Sequence, residues 1–278
     1  MSKITKIINL AAFPDEAAQE LEQAYGTVTA DQSLAGQLVA CVDAAFEKQS
    51  TDERRAELAR TSGLHPFTVD MIVLLEASVR LREIYRARGY DDSLFSGYLT
   101  DVRCKLKECM DVHGVVGTFV FFWYPGFLAC DRFCLGRLQF ETYSMPFDYG
   151  TVVKKGDPVL NCHIPSSGPL TPALVDEALR LAKDFYGERY KVVVCHSWLL
   201  YPPHASLFPE GSNLHAFYDR FLIARCEPTE VPKDAWRIFH TLERDLSKLP
   251  ANTSLQKRFR QFLLDGNPMG QGWGILRL

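Results

Sequence analysis

Small and hydroxyl-bearing residues fill the segment HIPSSGPLT, residues 163–171, between the apolar run PVLNC and the helix-like stretch PALVDEALRLAKDFYGERY. A helix N-terminus exposes unpaired backbone N–H groups and a partial positive charge, so it readily binds phosphate groups. Ser166, Ser167 and Gly168 would let an anion approach the backbone. The same residues fit an ordinary capped helix, with Thr171 as N-cap and Pro172 at the first helical position. Local chemistry alone favours the capped helix.

A histidine next to a cysteine occurs in the apolar segment VVVCHSWLLYP, residues 192–202. A cysteine nucleophile needs its histidine base within hydrogen-bond contact. Adjacent residues of a strand point to opposite faces, so Cys195 and His196 do not form such a dyad. We expect Cys195 in the core. His196 could line a cleft as a base or polar contact, or be a structural histidine, which is the commoner case.

Polar residues alternate along LGRLQFE, residues 135–141. In one continuous strand, Arg137, Gln139 and Glu141 would share a face, while Gly136 and the apolar residues take the other. A row of three polar side chains is too polar for a core. It indicates either a lined cleft or a solvent-facing strand, and the solvated alternative is at least as common for any one residue.

A tyrosine ends the short amphipathic segment NLHAFYD, which leads into the strand-like RFLI. Tyr218 at this point could donate a proton to a leaving group, or it could pack as an ordinary aromatic residue.

The elements that must position these residues divide into two sets. Helical periodicity predicts five helices before about residue 113: DEAAQELEQAYG, ending at Gly26, then SLAGQLVACVDAAFEKQ, TDERRAELARTSG, FTVDMIVLLEASVRLREIYRARG and SLFSGYLTDVRCKLKECMDVHG. Strand-like runs follow: GTFVFFWY, FCLGRLQFETYSM, PVLNCHIP, KVVVCHSWLL and RFLIARCEP.

Between these strands, helices are predicted at about residues 172–190 and 213–219. After them, two more helices are predicted in KDAWRIFHTLERDLSKL and TSLQKRFRQFLLDG, and GQGWGILRL is predicted as a closing strand. We therefore predict an α+β fold of two domains, residues 1–115 and 116–278.

Composition restricts the class of protein. A formal charge of −3 gives no general attraction to nucleic acid or anionic lipid. No two of the eight cysteines form a C-x-x-C pair, and no His/Cys cluster has zinc-site spacing. The N-terminus is charged and does not resemble a secretory signal, so we expect reduced thiols and a cytoplasmic protein. The uncharged run from Gly114 to Cys130 is broken by Pro125 and is too short for a membrane span.

Taken together, the order strand, Ser/Gly loop, helix, strand, helix, strand resembles the GNAT family of N-acetyltransferases. The passage AFYDRFLI resembles that family's LYxKxGF helix-to-strand motif. More specifically, LGRLQFE, HIPSSGPLTPALVDEAL, VCHSWLLYP, SNLHAFYDRF and LPANTSLQKRFRQFLLDG together resemble bacterial acyltransferase-domain proteins. Those proteins have a helical N-terminal acyltransferase-type domain and a GNAT-like C-terminal domain. The resemblance implies a mixed, splayed β-sheet flanked by helices.

The resemblance also implies a reaction: transfer of an acyl group from acetyl-CoA or another acyl-CoA to an amine, by direct attack. The amine would belong to a small molecule or peptide, with no nucleic-acid or membrane partner. Tyr218 matches the tyrosine that protonates the departing thiolate, and Glu141 is the first candidate for the base, followed by His163 and His196. The pyrophosphate would bind at Ile164, Ser166, Ser167, Gly168, Leu170 and Thr171.

The loop departs from the family pattern in lacking a Q/R-x-x-G-x-G/A run. A non-catalytic GNAT-like protein that binds a ligand or a protein partner is therefore the alternative. A Cys195 or Ser197 hydrolase ranks last, because the sequence has no G-x-S-x-G elbow.

Overall fold

A computed structural model describes residues 2–229 and 234–278. The chain forms two compact units, Met1–Cys134 and Leu135–Leu278. The division lies further along the chain than the domain boundary predicted between residues 115 and 116.

The first unit is helical. Its helices are α1 Lys3–Ala11, α2 Asp15–Ala30, α3 Gln32–Phe46, α4 Asp52–Ser62, α5 Pro66–Ala87, α6 Asp92–His113 and α7 Pro125–Leu128. The five predicted helices are present, but α2 does not end at Gly26. Leu21 and Val28 are both fully buried on one face of α2, at a seven-residue spacing. The apolar stripe thus continues across the glycine, and burying it extends the helix.

The strand predicted at GTFVFFWY is wrong. This segment holds a 3₁₀ turn, Phe121–Trp123, which Tyr124 connects to α7. The start of α5 binds the backbone at the beginning of the segment: Thr118 N donates to Phe67 O at 2.9 Å, and Thr68 Oγ1 donates to O of the preceding Val116 at 2.9 Å. A Cβ at Gly117 would lie 2.3 Å from Phe67 O. The segment is therefore held by close contact with a helix rather than by a sheet.

The second unit is built around a mixed sheet, as the predicted α+β class requires. The strands are β1 Arg132–Leu135, of which only Leu135 belongs to this unit, β2 Leu138–Ser144, β3 Pro158–His163, β4 Val192–Ser197, β5 Leu222–Pro228 and β6 Gly270–Arg277. They are ordered β1-β2-β3-β4-β6-β5. The β3–β4 pair is parallel, whereas β2–β3, β4–β6 and β5–β6 are antiparallel. The helices are α8 Pro172–Tyr186, α9 Pro202–Ala205, α10 Asn213–Tyr218, α11 Trp236–Phe239 and α12 Ser254–Leu264.

Two local predictions in this unit differ from the structure. FCLGRLQFETYSM is a hairpin, not one strand, because Gly136 takes a positive φ of 62° between β1 and β2. The long helix predicted in KDAWRIFHTLERDLSKL, whose Lys233 lies outside the described residues, is reduced to α11 and a 3₁₀ turn, Leu246–Lys248. His240 ends α11 with a φ of 53°.

Alternate glycines of β6 allow a very close backbone contact. A Cβ at Gly272 would lie 1.9 Å from Leu200 O, and one at Gly274 would lie 2.7 Å from Leu200 Cδ1. The 3₁₀ turn Trp198–Leu200 therefore packs directly onto β6. The glycines of GQGWG serve this packing.

Among the described helices, none is long and apolar enough to span a bilayer. All eight cysteines are free thiols. Within residues 2–229 and 234–278, no group of three His, Cys, Asp or Glu side chains is placed to bind a metal ion.

Candidate active site

Five polar side chains share one face of the sheet. Strand register pairs Gln139 with His163 and Glu141 with Asn161 across β2 and β3, and His196 with Trp273 across β4 and β6. Asn161 is in turn paired with Val194, two residues before His196. Paired residues point to the same face, so these positions form one row across the sheet. Its members are Gln139, Glu141, Asn161, His163 and His196.

The opposite face of the sheet is apolar and packs on α8. Gly136 lies against Ala178 and Leu181 of that helix, and Tyr186 donates a hydrogen bond to Phe140 O at 2.9 Å. Cys195 is buried on this face, as predicted.

Glu141 and His163 form a hydrogen-bonded pair at the centre of the row. Glu141 Oε1 lies 2.8 Å from His163 Nε2 and accepts a second hydrogen bond from Asn161 Nδ2 at 3.0 Å. The two side chains are 18% and 19% exposed, so the pair is mostly shielded and still accessible from outside. An ionised carboxylate only accepts hydrogen bonds, so Nε2 donates when Glu141 is charged. Such a carboxylate orients an imidazole and increases its basicity, an arrangement suited to accepting a proton.

The predicted row of Arg137, Gln139 and Glu141 is not a solvent-facing strand. Gln139 is 1% exposed and Arg137 is 9% exposed. Arg137 precedes β2 and lies in the turn of the hairpin, so it does not belong to the row. Gln139 is therefore buried and Glu141 is mostly shielded, so the solvent-facing alternative does not describe these two residues.

His196 lies flat against Trp273. The ring centroids are 4.3 Å apart and the planes differ by 9°. Burial lowers the pKa of His196, while the more distant carboxylates of Glu227 and Asp234 act in the opposite direction. His196 is therefore a neutral imidazole at pH 7, able to accept a proton or a hydrogen bond.

The sheet is open between β3 and β4. These two described strands are joined by two residue pairs, Leu160 with Val193 and Asn161 with Val194. By contrast, β2 and β3 are joined by six pairs. His163 and His196 lie beyond the last β3–β4 pair, one on each side of the opening. This is the splayed sheet expected from the resemblance.

Residues 164–171 connect the end of β3 to α8. The Thr171 side chain accepts a hydrogen bond from Leu174 N, so the predicted N-cap is present. Gly168 has a φ of 126°, which only glycine adopts readily. Arg137 binds the loop from the hairpin turn: Nη2 donates to Gly168 O at 2.8 Å and Nε donates to Pro169 O at 3.0 Å. A buried guanidinium therefore fixes the conformation of this loop.

A second arginine lies at the start of α8. Arg220 pairs with Asp176 and donates to Pro172 O at 3.2 Å. Its hydrogen bond lowers the pKa of the Asp176 carboxyl. Two guanidinium groups thus contact the loop or the first turn of the helix that follows it.

Tyr218 is the last residue of α10, a helix that packs against α8. Burial raises the pKa of its phenol, and the carboxylate of Asp219 and the thiol of Cys226 add to the effect. The hydroxyl therefore keeps its proton at neutral and moderately alkaline pH.

Two family descriptions match the chain in sequence. The N-acyltransferase N-terminal domain matches residues 2–130, and the GNAT-like C-terminal domain matches residues 133–276. The chain belongs to the GNAT-like C-terminal domain family. The two-domain architecture that the resemblance implied, with a helical N-terminal part and a GNAT-like C-terminal part, is therefore confirmed.

Solved structures of acyltransferases share the whole fold of this GNAT-like protein. One, in complex with decanoyl-CoA and teicoplanin, is 22% identical with a TM-score of 0.80, covering 98% of this chain and 87% of its own. A second, in complex with CoA and 10C-teicoplanin, has the same values. A third, in complex with decanoyl-CoA, has a TM-score of 0.75 at 22% identity, covering 98% and 86%. At 22% identity, the structural similarity establishes the fold. Among curated proteins, no sequence matches the chain.

The GNAT-like unit brings together part of the predicted site. Glu141 and His163 are in direct contact, with His196 on the same face across the opening, while Tyr218 lies on a helix beside α8. Sequence reasoning missed Asn161, which contacts Glu141. The sequence does indicate this residue: in PVLNCH, Asn161 lies two positions before His163, so the two side chains share a face of the strand.

Proposed function

We propose that this chain is an acyl-CoA-dependent N-acyltransferase, which transfers an acetyl or longer acyl group to an amine by direct attack. The observation that carries the proposal is the opening between β3 and β4, with the Glu141–His163 pair beside it. The fold similarity to acyltransferases in complex with acyl-CoA supports the choice of co-substrate.

The residues that would bind the coenzyme A pyrophosphate lie in the connection between β3 and α8. The backbone N–H groups at the start of α8, with the Ser166 and Ser167 hydroxyls, are the donors that a diphosphate requires. Arg137 adds positive charge nearby, while the charge of Arg220 is paired with Asp176. The loop has a single glycine, Gly168, and two prolines without N–H groups. The proposed set remains Ile164, Ser166, Ser167, Gly168, Leu170 and Thr171.

The base in this proposal is the Glu141–His163 pair acting as a unit. When Glu141 is ionised, it accepts the Nε2–H of His163, and the imidazole would accept the proton that the amine loses as it attacks. His196 is the second candidate, because its neutral ring faces the same opening.

Bond changes in the proposed reaction balance without a further reactant. The amine nitrogen attacks the thioester carbon, the C–N bond forms and the C–S bond breaks. Backbone N–H groups near His163 and Ile164, at the end of β3, would stabilise the oxyanion. Tyr218, which retains its proton, would protonate the departing thiolate.

Two measurements test the proposal. Coenzyme A and acyl-CoAs of increasing chain length are titrated in a thermal-unfolding assay, where a ligand at 100 times its Kd adds about 2.7 kcal/mol of stability. Release of free thiol from each acyl-CoA is then followed with a panel of amines. Stabilisation together with amine-dependent release supports the proposal, and no stabilisation by any acyl-CoA overturns it.

The loop without a Q/R-x-x-G-x-G/A run favours a second candidate, a non-catalytic GNAT-like binding protein. Stabilisation by coenzyme A with no thiol release on any amine would favour this alternative.

A further inference from the structure

Two buried amide side chains beside the Glu141–His163 pair have polar atoms without a hydrogen-bond partner among the described residues. These atoms are Gln139 Nε2, a donor, and Asn161 Oδ1, an acceptor. Gln139 is 1% exposed and Asn161 is 9% exposed. Leaving a buried polar group unpaired is costly, and native interiors contain few such groups. A donor and an acceptor left unpaired in adjoining positions therefore indicate a partner supplied by a ligand.

The register places both amides around the pair. Gln139 is opposite His163 and Asn161 is opposite Glu141, so each flanks the proton-accepting group from a neighbouring position. Directly opposed residues have Cβ atoms about 5 Å apart, and diagonal neighbours are roughly 7–8 Å apart. A small polar group bonded close to a reacting amine can span these distances.

The orientation of the Asn161 amide follows from its contact with Glu141. Its Nδ2 donates to Glu141 Oε1 at 3.0 Å, because a carboxylate cannot donate to the amide oxygen. Oδ1 is therefore the atom left to accept a hydrogen bond from elsewhere. In the same site, Gln139 provides a donor, so a bound group must be able both to give and to receive a hydrogen bond.

We infer that Gln139 and Asn161 form an acceptor-binding subsite, and that the acceptor is an amine with a hydroxyl or amide group adjacent to the reacting nitrogen. This inference rests on the proposed function. A hydroxyl or a primary amide offers both a donor and an acceptor, whereas a simple alkylamine leaves Gln139 Nε2 and Asn161 Oδ1 unpaired in the complex. Sites built to bond a substrate hydroxyl discriminate strongly against analogues that lack it.

The test compares matched amines on the unaltered chain and on one variant. Values of kcat/KM, corrected for the fraction of free amine, are measured with 2-aminoethanol and with propylamine, and with glycinamide and butylamine. We expect the hydroxyl- or amide-bearing amine to be preferred at least tenfold. In Gln139→Met, which keeps the side-chain length and removes the donor, this ratio should fall towards one. The melting temperature of the variant should hold or rise, because an unpaired buried donor has been removed.

Gln261→Met, on the exposed face of α12, is the matched control and should leave the ratio unchanged. Equal kcat/KM for the two members of each pair on the unaltered chain overturns the inference, while the proposed function stands. A Gln139→Met variant that loses stability and slows both amines equally indicates a structural role and also overturns it. Absence of turnover with every amine is the separate failure of the proposed function.

Discussion

His163 Nε2 and Glu141 Oε1 lie 2.8 Å apart on neighbouring strands, and the same carboxylate oxygen accepts a hydrogen bond from Asn161. Antiparallel pairing of β2 with β3 brings together residues 22 positions apart in the chain. In the proposed reaction the two residues act as one unit, whose parts can be tested separately.

Glu141→Gln removes the charge that orients and supports the imidazole. We expect kcat/KM for the amine to fall about 100-fold or more, with KM for acyl-CoA little changed, because the substitution affects proton transfer and not coenzyme A binding. Steady-state kinetics with varied amine and varied acyl-CoA separates the two effects. Glu188→Gln, at an exposed position after α8, is the control. Unchanged turnover in Glu141→Gln would show that the pair does not serve the reaction.

Tyr218→Phe removes the proposed proton donor to the thiolate. We expect kcat to fall about 100-fold with a small change in the affinity for acyl-CoA. Because the pKa of Tyr218 is raised above its ordinary value of about 10, deprotonation of this residue should not reduce the activity of the unaltered chain below pH 10. A pH–rate profile from pH 6 to 10 checks this point. If Tyr218→Phe keeps full kcat, while Tyr190→Phe behaves identically, Tyr218 has no role in the chemistry.

Arg137→Met releases the loop carbonyls of Gly168 and Pro169. We expect the Kd for coenzyme A, measured by calorimetry, to rise about tenfold, which corresponds to about 1.4 kcal/mol. The reason is that the loop loses the guanidinium that fixes its conformation. Arg180→Met, on the exposed face of α8, should leave the Kd unchanged. Equal Kd values for the unaltered chain and Arg137→Met would show that coenzyme A binding does not depend on the loop conformation held by Arg137.

Glycine substitutions at two positions should act in opposite directions on stability. Gly272→Ala places a Cβ 1.9 Å from Leu200 O, and we expect a loss of roughly 3 kcal/mol in the free energy of unfolding. Gly26→Ala lies inside α2 with no atom near the new Cβ, and should gain about 0.5–1 kcal/mol. Urea unfolding of both variants measures the difference. A stable Gly272→Ala would contradict the close packing of β6 on the 3₁₀ turn.

Acid should weaken the fold through a buried histidine. His204 is 0% exposed, and burial lowers its pKa although its Nδ1 donates to Trp198 O at 2.8 Å. The unfolded chain titrates this group near pH 6.5, so between the two pKa values the unfolded state binds more protons. The free energy of unfolding should therefore be highest above pH 6.5 and fall as the pH drops towards 5.

The variant His204→Gln should be less stable at pH 7.5 and show a shallower decline with acid. His215→Gln, at a partly exposed position, should keep the full decline. Unfolding by urea at pH 5, 6 and 7.5 measures the slopes. Parallel curves for the unaltered chain and His204→Gln would assign the pH dependence to other groups.

Periodicity predicted the regular elements well where burial is one-sided or complete. The apolar runs of β3 and β4 and the amphipathic helices α3 to α6 are present. GTFVFFWY was mistaken for a strand because Val120, Phe121 and Tyr124 are buried without belonging to a sheet, and composition does not distinguish this burial from that of a strand. Likewise, Arg137 and Gly168 are in contact although they are 31 positions apart in the chain. Local sequence patterns cannot predict such a contact. Glu141 and His163 could be named as candidates, but their contact depends on strand register.

Because β3 and β4 share only two register pairs, the sheet consists of two ribbons, β1-β2-β3 and β4-β6-β5, joined along a short seam. A molecule that lies in the gap beyond the seam and contacts both ribbons adds cohesion where the backbone supplies little. Amide hydrogens of Cys162, His163 and Cys195 should then exchange with solvent more slowly in the loaded protein than in the empty one. In such an architecture, part of the binding free energy would appear as added stability of the sheet.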